Sequence, residues 1–138
     1  MPDLQEMQAI IHRGVPLAAA WGVELLAAEG GTALLRLPFR KELLRPGNTI
    51  SGPALMGLAD VAMWAALLSL TEGRDESVTS SMNVNFLRPA GAVPVLAEAR
   101  LIKRGKRMVY GEILLRAEGS EELCAHITTH WAVITPSR

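Results

Sequence analysis

Residues 48–70, NTISGPALMGLADVAMWAALLSL, form the most apolar stretch of the chain and carry one acid, Asp60, near their middle. Ser51 or Gly52 is suited to cap a helix, and Pro53 fits the first helical turn, where no backbone donor is lost. After Pro53, apolar helix formers lie on almost every side of the helix. The stretch therefore predicts a long helix that is buried.

The acid in this helix has two interpretations. In the first, its role is structural: the side chain lies on the one exposed stripe of the helix, or is buried and held by hydrogen bonds, as is usual for a lone acid on a helix. In the second, its role is catalytic. Its sequence neighbours on both sides are apolar, and loss of water there raises the pKa of a carboxyl group and costs stability. An acid kept at that cost is also a candidate for catalysis.

The N-terminus of the same helix is a candidate for carbonyl binding. It presents unpaired N–H groups and a partial positive charge, and Gly52 allows a ligand to approach closely enough for an oxyanion to be stabilised. The alternative is that these residues only start the helix. Gly52 and Asp60 lie eight residues apart, which is about 12 Å along a helix. If both act on one carbonyl they come from two chains, which predicts at least a symmetric homodimer.

The composition predicts one globular domain of 138 residues, with 49% hydrophobic residues, 20% charged residues and a formal net charge of zero. The charge argues against a general nucleic-acid-binding surface. The N-terminal MPDLQEMQ is acidic and polar, unlike a secretion signal, and the longest uncharged apolar run is too short to cross a bilayer. We therefore expect a cytoplasmic protein without nucleic-acid or membrane partners.

The histidines and the cysteine do not form a metal-binding pattern. His126 and His130 share one face of a predicted strand but are roughly 13 Å apart along it, and His12 is isolated in the sequence. Cys124 is the sole cysteine, which excludes a disulfide framework and is more typical of a packing residue. We expect neither a metal nor a cofactor.

Outside the central stretch, helical spacing of apolar residues predicts a short helix over residues 3–13, within an N-terminal extension of residues 1–20. Residues 40–49 are expected to form a loop, and Gly73 is the expected end of the long helix. Alternation and turn residues predict strands at residues 23–28, 32–39, 79–87, 93–102, 108–116 and 123–134. A long helix that is apolar on all sides needs an antiparallel sheet curled around it as cover.

In the order of its motifs, the chain resembles the hotdog-fold acyl-CoA thioesterases of the PaaI-like, phenylacetate-pathway family. SGPALMGLAD (51–60) is similar to the family's HGG…D helix start, VTSSMNVNFLRPA (78–90) to its next strand, and LIKRGKRMVYGEILLRAEG (101–119) to the hairpin after it. The resemblance covers about residues 21–134. It implies an α+β hotdog fold in a single domain over residues 1–138, paired into homodimers and further into homotetramers.

The resemblance also implies hydrolysis of an acyl-CoA thioester with a short, medium-chain or aryl acyl group. Gly52 would donate its backbone N–H to the carbonyl, and Asp60 of the opposing subunit would be the general base or the nucleophile. Thr79 matches a hydroxyl that helps to hold the attacking water in some members, and Asn48 matches a polar residue upstream of the glycine. The implied substrate contacts are Ser51, Met56 and Trp64 for the acyl thioester and Arg88, Arg104 and Lys106 for the phosphates of CoA.

Two positions depart from the family's pattern. Ser51 stands where the family has a histidine, and Pro53 replaces the second glycine and removes one N–H. These departures keep a second class of function open, a non-catalytic protein that binds acyl-CoA or another hydrophobic ligand. A hotdog hydratase or dehydratase is a further alternative, although it would typically need a histidine near the central helix.

Overall fold

The computed structural model of the chain describes residues 2–134. Its core is one long helix packed against a six-stranded antiparallel sheet. In chain order the elements are helices α1 (Leu4–Gly14) and α2 (Pro16–Trp21), strands β1 (Glu24–Glu29) and β2 (Thr32–Leu37), a 3-10 helix (Lys41–Leu43), strands β3 (Leu44–Arg45) and β4 (Thr49–Ile50), helix α3 (Gly52–Leu68), and strands β5 (Val78–Phe86), β6 (Val95–Arg104), β7 (Met108–Ala117) and β8 (Leu123–Ala132).

The sheet has the strand order β1-β2-β6-β7-β8-β5, with every neighbouring pair antiparallel. Strands β1 and β5 therefore lie at its two edges. Helix α3 packs mainly against β6, β2 and β7, in the middle of the sheet. This arrangement confirms the predicted α+β class with a long helix covered by an antiparallel sheet. None of the helices within residues 2–134 is both long and apolar enough to cross a membrane.

Helix α3 is the buried helix that its sequence predicts. Ser51 caps it, with its hydroxyl oxygen accepting a hydrogen bond from the Ala54 N–H at 3.3 Å, and Pro53 lies in its first turn. Side chains such as Leu58 are fully buried, and each such leucine stabilises the fold by about 1.5–3 kcal/mol. One stripe is only partly covered: Pro53, Met56, Gly57, Asp60 and Trp64. Asp60 therefore lies on the partly covered stripe of α3 and not on its fully buried faces.

The N-terminal region contains two helices, whereas the sequence predicts one. α1 begins with a capping box, in which Asp3 accepts from the Glu6 N–H and Glu6 accepts from the Asp3 N–H. Pro16 begins α2, because the first helical position does not need an N–H. α1 packs against β1 and α3, so the extension joins the main body of the fold.

The six predicted strands are all present, with ends displaced by up to two residues. The expected loop over residues 40–49 is more ordered than predicted, because it contains the 3-10 helix and the β3–β4 hairpin. The predicted end of the long helix is also wrong. α3 ends at Leu68, and Gly73, with a φ of 80°, lies in the turn that follows.

Candidate active site

The carboxylate of Asp60 is paired with a hydroxyl from the sheet. The side chain of Thr79, near the start of β5, donates a hydrogen bond to Asp60 Oδ1 at 2.6 Å. Burial raises the pKa of the Asp60 carboxyl above its usual value, and the hydrogen bond from Thr79 opposes part of that shift. Asp60 and Thr79, which the family resemblance assigns to one site, are thus in direct contact.

A β-bulge explains how Thr79 reaches the helix. In the β5–β8 pairing, Thr79 is opposite Trp131 and Ser81 is opposite His130, so Ser80 is an extra residue in β5. Beyond the bulge, Met82 is packed against the core. Strict alternation would send residues 79 and 82 to opposite faces, whereas the extra residue turns both toward α3. The alternating sequence of this strand gives no sign of the bulge.

A cavity of about 310 Å³ lies beside Asp60. Trp64, one turn further along α3, forms part of its wall, and the Trp64 Nε1–H donates to the backbone oxygen of Asp75 at 3.2 Å. The Asp75 carboxylate in turn accepts hydrogen bonds from the N–H and the hydroxyl of Ser77 at 3.0 and 2.8 Å. The cavity is lined by Gly14, Val15, Asp60, Val61, Trp64, Asp75, Glu76, Ser77 and Trp131.

A separate cavity of about 450 Å³ lies at the N-terminus of α3 and includes Gly52. The ring of Phe86 packs over the glycine, since a Cβ added at Gly52 would lie 3.3 Å from Phe86 Cζ. Arg88 lines the same cavity. Its Nε donates to the backbone oxygen of Leu123 at 3.0 Å and its Nη1 pairs with Glu122. This cavity therefore combines a helix N-terminus with a cation.

The Gly52 cavity and the Asp60 cavity share no lining residue. A single chain therefore does not bring the two candidate groups to one carbonyl. This agrees with their separation of about 12 Å along the helix.

The other predicted site residues lie in several places. Ser51 is occupied as the cap of α3, Met56 is 40% exposed on the uncovered stripe, and Asn48 is exposed in the β3–β4 turn with a φ of 56°. Lys106 lines a further cavity of about 460 Å³ at the β6–β7 turn. Arg104 ends β6 next to this turn but does not line that cavity.

Some residues around the acid are not predictable from the sequence. Asp75, Ser77 and Gly14 carry no recognisable motif, because they meet only when α1 and the segment before β5 pack against Trp64. Trp131 could have been found, since it lies on the inward face of an alternating strand. Its indole N–H is buried without a hydrogen-bond partner among residues 2–134.

The histidines and the cysteine have other partners. His12 Nε2 lies 2.8 Å from the backbone oxygen of Val23, and His126 Nε2 lies 2.7 Å from Glu112 Oε2. Cys124 is buried, and burial raises the pKa of its thiol, which disfavours the reactive thiolate. Within residues 2–134, no three His, Cys, Asp or Glu side chains are grouped as a metal site would require.

Comparison with known proteins identifies the family. The sequence profile of the Thioesterase superfamily matches residues 47–124. "Putative esterase SSO1253" from Saccharolobus solfataricus is 32% identical over 112 residues, which cover 81% of this chain and 73% of that protein. A structure described as a "putative thioesterase" from Silicibacter sp. TM1040 is 31% identical, with a TM-score of 0.86 over 96% of this chain and 92% of that chain.

The E. coli PaaI protein, from the phenylacetic acid degradation operon, superposes with a TM-score of 0.85 over 97% of this chain and 95% of its own. At 21% identity this likeness concerns the fold alone. Together with the helix and sheet described above, it establishes the hotdog fold. The chain therefore belongs to the thioesterase superfamily and is a thioester hydrolase.

Proposed function

We propose that the protein hydrolyses acyl-CoA thioesters at a composite site, with Asp60 from one chain and the Gly52 end of α3 from a second chain. The observation that carries this proposal is the Asp60–Thr79 pair beside a cavity. A partly buried carboxylate with a raised pKa and an ordered hydroxyl partner has the properties of a general base. The absence of shared residues between the two cavities is the reason for the second chain.

Two uncovered surfaces support a homodimer as the minimal active unit. Met56 leaves 40% of its surface exposed on the stripe of α3, and Val78 and Phe86 of the edge strand β5 are 50% and 53% exposed. Edge strands with exposed apolar side chains favour pairing with another chain. A two-fold axis that aligns two β5 edges and two antiparallel α3 stripes would bring each Gly52 toward the partner's Asp60. Further pairing of such dimers would give the homotetramer that the family resemblance implies.

The helix start offers one backbone donor to the substrate. Pro53 has no N–H, and the Ala54 N–H already donates to Ser51, so the Gly52 N–H is the donor that faces the thioester carbonyl. One such donor is worth about 10²–10³ in rate when it stabilises an oxyanion. The substitution of the family's second glycine by proline thus reduces the number of donors without removing the essential one.

In the reaction, the Asp60 carboxylate accepts a proton from a water molecule, whose oxygen attacks the carbonyl carbon of the thioester. The negative charge on the carbonyl oxygen is stabilised by the Gly52 N–H. When the C–S bond breaks, the CoA sulfur leaves and takes the proton from Asp60, which yields the free acid and CoA. Thr79 holds one carboxylate oxygen and leaves the other for the water. A direct attack by Asp60 on the carbonyl, through a mixed anhydride, is the variant mechanism.

The cations of the chain suit the phosphates of CoA in different ways. Arg88 and Arg45 both line the cavity that includes Gly52, so both cations lie at the proposed carbonyl site. Lys106 lies with Lys103 and Arg107 around the cavity at the β6–β7 turn. We assign Arg88 and the Lys106 cluster to phosphate binding, with Arg104 as a neighbour of that cluster.

Release of free CoA from short, medium-chain and aryl acyl-CoA tests this function. Asp60→Asn and Asp60→Ala are expected to lower kcat at least a hundredfold, because they remove the base. Glu121→Gln, which neutralises an exposed acid outside both cavities, serves as the matched control and is expected to retain activity. Asp60 variants as active as the wild type would refute the site.

The departures of Ser51 and Pro53 from the family's histidine and glycine raise a non-catalytic acyl-CoA-binding protein as an alternative, against which the family match and the esterase relatives stand. Binding of acyl-CoA by calorimetry without any CoA release would favour it. A hydratase has less support, since none of His12, His126 and His130 lines the Asp60 or the Gly52 cavity.

A further inference from the structure

A second cavity, shallow and open to solvent, adjoins the one beside Asp60. It has a volume of about 360 Å³ and extends between the C-terminal part of α1 and the turn after α3, with Ile10 in its wall. Four residues line both cavities: Gly14, Trp64, Asp75 and Glu76. Among these, Trp64 has by far the largest side chain. Its indole therefore borders both the space beside the candidate catalytic acid and the open depression next to it.

The indole of Trp64 is held from two sides. Its Nε1–H donates to the backbone oxygen of Asp75 at 3.2 Å. Its six-membered ring packs against Gly14, the last residue of α1, where an added Cβ would lie 2.4 Å from Cη2 and 2.9 Å from Cζ3. Gly14 thus provides the space that the ring occupies. The ring is fixed by a hydrogen bond and by close packing, as a wall between two spaces requires.

We propose that Trp64 sets the length of the acyl group by closing the far end of the Asp60 cavity. This inference rests on the proposed function, and it adds the residue that limits the substrate. A straight acyl chain that starts at the thioester beside Asp60 meets the indole face and stops there. Removal of the indole joins the two cavities, and the chain then extends toward Ile10 and α1. The wild-type protein accordingly selects short or compact acyl groups.

The test compares wild type, Trp64→Phe and Trp64→Ala over saturated acyl-CoA substrates from acetyl to dodecanoyl. For wild type, kcat/KM is expected to fall about tenfold or more for each methylene beyond the limit of the cavity. Trp64→Ala is expected to move the optimum to longer chains, with Trp64→Phe between the two. The phenyl ring keeps most of the packing, so Trp64→Phe preserves the test if Trp64→Ala does not fold.

Trp21→Ala is the matched control. Trp21 also packs against α3, where its ring covers Gly57, but it lines neither cavity. Its variant is expected to keep the wild-type optimum. An unchanged optimum in folded Trp64 variants that still hydrolyse acyl-CoA would overturn the inference and leave the proposed function intact.

A binding measurement separates the inference from catalysis. In the Asp60→Asn background, calorimetry with the same acyl-CoA series is expected to give at least tenfold tighter binding of long chains once Trp64 is replaced by alanine. This shift without CoA release by the wild type would support the role of Trp64 and refute hydrolysis. Equal affinities across the chain lengths, both for Asp60→Asn alone and for Asp60→Asn combined with Trp64→Ala, would overturn the role of Trp64 whatever the catalytic result.

Discussion

At the scale of single residues, the proposed mechanism depends on the contact between Asp60 and Thr79. The sequence predicts the acid, because a carboxylate in an apolar helix is conspicuous, and the family resemblance adds the hydroxyl. The contact itself depends on the extra residue at Ser80 in β5. Such a bulge arises from the pairing of β5 with β8, so it is not encoded in the alternation of either strand alone.

Replacement of Thr79 by valine tests this contact through the pH dependence of activity. A base acts in its ionised form, so kcat/KM is expected to rise with pH through the pKa of Asp60. The Thr79 hydroxyl donates to the carboxylate and lowers that pKa. Its loss raises the pKa further, and the acid limb of the profile is expected to move to higher pH.

Ser81→Ala is the control for this experiment, because it removes a hydroxyl from the same strand that lies near His130 instead of Asp60. Its acid limb is expected to coincide with that of the wild type. A Thr79→Val profile with an unmoved or lowered limb would show that the hydroxyl does not act on the ionised acid.

At the scale of elements, α3 and the six strands follow from hydrophobic pattern, whereas helix ends follow from contacts between distant segments. Gly73 is a plausible stop by sequence, yet α3 ends at Leu68 and is followed by the buried Ser69. The Ser69 hydroxyl donates to the Ala66 oxygen at 2.6 Å and accepts from the Gly31 N–H at 2.9 Å. The end of the helix is thus tied to the β1–β2 turn, which no local sequence rule reveals.

Ser69→Ala measures the contribution of this tie to stability. The variant leaves the Gly31 N–H without its partner in a buried position, which costs about 1–3 kcal/mol. We expect the free energy of unfolding, measured by urea titration, to fall by that amount with an unchanged m-value. Ser120→Ala, at a partly exposed turn, is the control and is expected to change the free energy of unfolding by less than about 0.5 kcal/mol. Equal stabilities of the two variants would contradict the role of Ser69.

At the scale of the whole molecule, the sequence predicts a site that a single chain does not complete. If Gly52 and Asp60 act on one carbonyl, their spacing calls for two chains, and the two groups line separate cavities. The uncovered stripe of α3 and the exposed edge strand β5 offer surfaces for a second copy. The fold of one chain is predictable because hydrophobic pattern determines it. The arrangement of two chains depends on the fit of surfaces that the sequence does not describe.

Subunit complementation between two inactive variants tests the composite site most directly. Asp60→Asn removes the base, and Gly52→Pro removes the N–H at the first helical position, where proline fits the backbone and the Phe86 ring shifts to admit it. Chains carrying the two changes are co-expressed with different affinity tags, and mixed dimers are isolated by two successive purifications. If each site uses groups from both chains, a mixed dimer contains one intact site and one doubly altered site. We predict about half the wild-type kcat per mixed dimer, whereas mixed dimers as inactive as either parent would contradict the account.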